Sequence, residues 1–97
     1  MNVAEAELLA ESWQLALRAE RKSPQPLKAY GDGVRQYLTW CAERDADPMT
    51  RAALNLWVAG LLDAGAAAAT ARARQLAVRR FAAWLAEEAR TLNLGEL

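Results

Sequence analysis

The chain has 97 residues carrying 12 basic and 12 acidic side chains, a formal net charge of zero. That length holds one domain at most, and that balance excludes the strongly basic total typical of nucleic-acid binders. Hydrophobic residues make up 54% of the chain, and the absence of histidine removes the commonest general base and the commonest metal ligand.

The apolar set is rich in Ala and Leu and poor in β-branched residues, which favours helix over strand. Four tryptophans supply bulky core anchors. Cys41 is the single cysteine. It cannot form an internal disulfide, and a reduced, cytoplasmic location is the simple expectation. No signal peptide and no apolar run near 18 residues is present, so no membrane partner is expected. No cofactor or metal is expected either.

The spacing predicts four helices. The first covers roughly Ala4 to Arg21. Glu5, Glu7 and Glu11 suit its positive N-terminal end, and Arg18, Arg21 and Lys22 suit the other end. Leu9, Trp13, Ala16 and Leu17 form its apolar face. Ser23-Pro24 opens the second helix, since Ser caps well and Pro is tolerated in a first turn. Leu27, Tyr30, Val34, Tyr37, Leu38 and Cys41 then recur at spacings of three and four. Gly31 and Gly33 interrupt this stripe. They either weaken the helix or let another backbone come close, and close packing is the expectation. Trp40 lies about 120° off the stripe, at the rim.

Asp45-Ala46-Asp47-Pro48 reads as a turn, with Thr50 as the cap of a third helix reaching Asp63. Leu54, Trp57, Val58, Leu61 and Leu62 are expected inward, and Gly65 stops the helix. The fourth helix begins between Ala66 and Thr70 and is expected to end near Arg90, leaving Thr91 to Leu97 as a tail or linker stub. With Ala77 as the centre of its core stripe, Thr70, Ala73, Phe81, Trp84 and Glu88 fall within about 40° of it. Arg72, Gln75 and Arg79 then lie on the opposite face, and Arg74 and Arg80 flank the stripe.

The charges are unevenly placed. From Ala64 to Ala86 there are four arginines, Arg72, Arg74, Arg79 and Arg80, and no acid. A neutral total therefore hides a basic face. On an arbitrary helix such a face is merely solvated; without acids nearby it also suits phosphate neutralisation and base-edge contact in a major groove. Gln25 and Lys28 project away from the second helix's apolar stripe near its N-terminus, where free amides suit a phosphate. That turn reads equally well as an ordinary solvated one.

Ser23-Pro24-Gln25-Pro26-Leu27-Lys28-Ala29-Tyr30, followed by Val34, Tyr37 and Trp40, resembles the "S-P-x-T-L-x-x-Y…L-x-x-F-x-x-W" opening of the tyrosine recombinase (phage integrase) core-binding domain. A second block, Gly65, Thr70, Arg74, Ala77, Val78, Arg79, Phe81, Trp84 and Leu85, resembles that family's "G-x-S-x-x-T…R…A-L-R-x-F-x-x-W-L" helix. The resemblance spans about Leu9 to Arg90. It implies an all-α, four-helix, SAM-like bundle over residues 4–90. It also implies a non-catalytic role: one arm of a clamp on duplex DNA, serving a separate C-terminal catalytic domain and neighbouring recombinase protomers. Carried over by position, the implied DNA contacts are Ser23, Gln25 and Lys28 on the second helix, and Thr70, Arg72, Arg74 and Arg79 on the fourth. Gln75 joins them from the arginine face. The sequence departs from the family at Pro26, where Thr is usual, and at Ala67 or Ala68, where Ser is usual; each change removes a hydroxyl.

The competing expectation is a helical protein–protein module presenting Trp40, Ala82, Ala83 and Ala86. Tyr30 and Tyr37 lie on the buried stripe, and neither matches the family's nucleophile. No catalytic constellation is legible.

Overall fold

A computed structural model describes the backbone of residues 1–20 and 24–95 and the side chains of residues 1–20 and 28–89. Four helices follow one another: α1 (Val3–Ala19), α2 (Pro24–Arg44), α3 (Arg51–Asp63) and α4 (Ala68–Gly95), with no strand among the described residues. The all-α expectation holds, and α4 runs five residues beyond the expected end at Arg90.

The ends of these helices follow from local chemistry. At α1, the Asn2 side chain accepts the Glu5 amide at 2.8 Å, while its own NH2 donates to the Glu5 carboxylate at 3.0 Å. Thr50 caps α3 as expected: its Oγ accepts the Ala53 amide at 3.2 Å and donates to the Asp47 carbonyl at 3.0 Å. The turn before it is tied by Asp47, whose carboxylate accepts the Met49 amide at 2.9 Å. That bond holds the Asp47 carboxyl below its ordinary pKa.

The C-terminal ends of α2 and α3 share one geometry. After α2, Ala46 donates to the Cys41 carbonyl and Asp45 to the Ala42 carbonyl; after α3, Ala66 donates to Leu61 and Gly65 to Leu62. Each pair is the Schellman pattern, which needs a left-handed residue just past the helix. Asp45 takes it with φ 52° and Gly65 with φ 98°.

The core lies between α2 and its neighbours. α2 packs most extensively against α4, then α1, and α3 lies mainly against α4. Trp13, Leu17, Val34, Tyr37, Leu38, Cys41, Leu54, Trp57, Val78 and Phe81 are buried together. Trp13 of α1 joins three helices, with ring centroids 6.0 Å from Tyr30 and 5.3 Å from Phe81. Tyr37 lies 5.1 Å from Trp57, and its hydroxyl donates to the Pro48 carbonyl at 2.7 Å. This bond fastens the turn before α3 to the middle of α2. The tryptophans fall one to a helix: Trp13 and Trp57 buried, Trp40 and Trp84 half-buried.

The expectation of close packing at the α2 glycines is met at Gly33. A Cβ there would lie 3.1 Å from the Ala77 Cβ and 3.8 Å from the Arg74 Cα, so α4 crosses α2 at this point. Gly31 instead abuts the Gln14 side chain of α1. Leu62, expected inward, is exposed.

Candidate nucleic-acid interface

The rotation of α4 decides which of its side chains reach solvent. Ala71, Ala77, Val78 and Phe81 are buried, whereas Thr70, Ala73 and Glu88, expected inward, are exposed. The buried stripe is centred about 60° from Ala77, on the Val78 side. The cause is α2: Gly33 admits the α4 backbone between Arg74 and Ala77, and that contact sets the rotation.

This places the expected site residues as follows. Arg72 and Arg79 are exposed, seven residues apart on one flank of α4, and Thr70 is exposed in its first turn. Gln75, expected on the outward face, is half-buried beside them. Arg74, expected at the margin of the stripe, is half-buried with its backbone against Gly33. Arg80 is exposed on the other flank. Lys28 is exposed on α2, about 8 Å along the axis from the crossing at Gly33. Ser23 and the side chain of Gln25 lie outside the described residues.

The electrostatics separate these cations from Arg35 and Arg44. Arg35 pairs with Asp32 at 2.8 Å, and Arg44 with Glu43 at 3.5 Å. Among the described residues, Lys28, Arg72, Arg74, Arg79 and Arg80 have no carboxylate within 4.0 Å. Four unpaired arginines on one helix leave their charge to solvent or to an anion. Arginine is suited to the latter, because its planar guanidinium offers paired N–H donors to phosphate oxygens.

Two residues outside the sequence-based set border this face. Arg51 and Asn55, both exposed, line a groove between α3 and α4 with Thr50, Val78, Arg79 and Ala82. In the sequence Arg51 is one charge after a cap, with nothing near it to suggest a site; only the packing of α3 on α4 brings it beside Arg79.

The apolar surface expected of a protein-binding module is split. Trp40 stacks on Tyr37 at 6.3 Å, under the Arg44 guanidinium 4.5 Å from its ring, and faces the groove between α2 and α3. It is a rim residue, as expected. Ala82 lines the other groove, between α3 and α4.

No group of three His, Cys, Asp or Glu is placed to hold a metal ion among the described residues. Burial pushes the Tyr37 phenol above the tyrosine range and raises the Cys41 thiol, so both stay protonated. No described helix is long and apolar enough to cross a membrane.

A family model described as phage integrase, N-terminal SAM-like domain, matches residues 10–89. No curated protein and no solved structure matches the chain.

Proposed function

We propose a function from one premise: the chain belongs to the phage integrase, N-terminal SAM-like domain family. On our reading it is the DNA-gripping module of a tyrosine site-specific recombinase. Residues 4–90 act as the core-binding unit at the recombination site, and the chemistry falls to a separate catalytic domain. Duplex DNA, that catalytic domain and neighbouring recombinase protomers are its partners, in the cytoplasm.

The observation that carries this reading is the set of unpaired arginines on α4. Arg72 and Arg79 are separated by about 10.5 Å along the axis, close to the roughly 12 Å width of a major groove. Their guanidinium groups displace counterions from the phosphates, which supplies affinity without reading sequence. Gln75 between them, and Thr70 in the first turn of α4, offer hydrogen bonds to base edges or backbone. Lys28, with Ser23 and Gln25, adds contacts from the first turns of α2. The rival reading, a protein-interaction module, needs a continuous apolar strip, and Trp40 and Ala82 line different grooves.

The test is a titration of the isotope-labelled chain with duplex DNA at low salt, followed by NMR. Amide shifts are expected at Lys28 and along Thr70 to Arg79, and Arg72→Ala with Arg79→Ala together should abolish most of the response. Shifts absent from α4, or binding unchanged in the double variant, would overturn the proposal.

A further inference from the structure

We infer that Arg51, facing Arg79 across the α3–α4 groove, forms an additional phosphate-binding position for the DNA backbone. The inference rests on the DNA reading above and extends it to a residue of another helix.

The two arginines are far apart in sequence and come together only because α3 lies on α4. Both are exposed, and among the described residues neither has a carboxylate within 4.0 Å. The groove between them is lined by Thr50, Asn55, Val78 and Ala82 as well, with no acid in its wall. Two like charges beside one shallow cleft repel unless an anion joins them, and this cleft of about 170 Å³ admits a phosphate group.

The donors suit that anion. Each guanidinium can give two parallel N–H bonds to phosphate oxygens. The Asn55 carboxamide, exposed and without a hydrogen-bond partner among the described residues, adds another N–H donor. The Thr50 hydroxyl is already committed to the Ala53 amide and the Asp47 carbonyl. Arg51 is also held in place: the turn before it is fixed by the Asp47–Met49 bond and by the Tyr37 hydroxyl on Pro48.

The row is open at one end. Arg79 belongs both to this cleft and to the flank of α4 that carries Arg72, so the positive track continues from one helix to the next. A track of this kind fits a polyanion with regularly spaced phosphates better than a single small anion. Its course puts the DNA strand on the α3 side of α4.

The experiment compares the wild-type chain with Arg51→Ala, Arg51→Lys and the Arg72→Ala/Arg79→Ala double variant. Binding to a fluorescein-labelled duplex is read by anisotropy across a salt series, and circular dichroism verifies that each variant folds. Arg51→Ala should weaken binding several-fold and reduce the magnitude of the log–log salt slope by about 0.9, the loss of one neutralised phosphate. Arg51→Lys should keep the slope and lose part of the affinity, since the charge stays and the paired donors go. If Arg51→Ala matches the wild type in both quantities while the double variant is weakened, the inference is overturned and the DNA reading stands. If the wild-type chain binds no duplex, both fall.

Discussion

Gly33 and Gly60 are both helical glycines, and the same added methyl group acts on them in opposite directions. In each helix, Ala in place of Gly is favoured by about 0.8–1.0 kcal/mol. At Gly60 nothing lies within 4 Å of the new Cβ, so Gly60→Ala should stabilise the fold by most of that amount. At Gly33 the new Cβ meets the Ala77 Cβ at 3.1 Å. That atom is fixed to α4 and cannot swing aside, so overpacking of about 1–3 kcal/mol outweighs the helix gain. Gly33→Ala should therefore lower stability in urea denaturation, by about 1 kcal/mol. Tyr37 gives a second test at this scale. Its buried hydroxyl satisfies the Pro48 carbonyl, and Tyr37→Phe should cost about 1–3 kcal/mol. Burial first, and then the neighbouring Cys41, raises the folded-state pKa of the phenol above its unfolded value of about 10. Its contribution is then complete below about pH 10 and is lost as pH rises beyond that, because the unfolded chain ionises first. Alkaline denaturation should be less steep in Tyr37→Phe than in the wild type.

At the scale of the helices, the two Schellman ends invite an exchange. Gly65 suits its left-handed backbone, and Gly65→Ala should cost about 1–2 kcal/mol. Asp45 holds the same position with a Cβ that disfavours it, so Asp45→Gly should raise the melting temperature, as a gain of about 0.5–1 kcal/mol. The helices and their stops were legible in the sequence because each boundary carries its own chemistry: Thr50 as a cap, Asp45 to Pro48 as a turn, Gly65 as a stop. The facing of α4 was not. Alanine recurs on every side of that helix, so hydrophobic periodicity hardly distinguishes a stripe centred on Ala77 from one rotated about 60° toward Val78. What fixes the rotation is Gly33, 41 to 44 residues from its α4 partners Arg74 and Ala77, and a contact at that separation leaves no periodic trace. Arg72 and Arg79 stay outward under either rotation, which is why they were readable; Gln75 and Arg74 are the residues the rotation moved into partial burial. Arg51 was unreadable for the same reason, since the groove it shares with Arg79 forms only where two helices pack.

For the whole molecule, the net charge is a poor guide and the pairing pattern a better one. The chain is neutral overall, yet the ion pairs between described residues involve Arg35, Arg44 and the N-terminal amine and leave Arg72, Arg74, Arg79 and Arg80 with no carboxylate within 4.0 Å among those residues. Binding should therefore be local and strongly dependent on ionic strength. If Lys28, Arg72, Arg74 and Arg79 neutralise phosphates, log K should fall with log salt at a slope near −3.5, approaching about −4.5 if Arg51 joins them. Isothermal titrations between 50 and 200 mM salt, both on the order used for such slopes, would measure it, and a slope near zero would count against a phosphate-borne grip. The distribution of tryptophans has a consequence of another kind. With one indole per helix, the molecule carries four optical reporters in different settings: Trp13 between Tyr30 and Phe81, Trp57 against Tyr37, Trp40 beneath a guanidinium, and Trp84 half-buried on α4 against the edge of the core. Variants that keep a single indole would let the emission of each helix be followed separately, and would reveal whether α3, which leans mainly on α4, lets go before the other three.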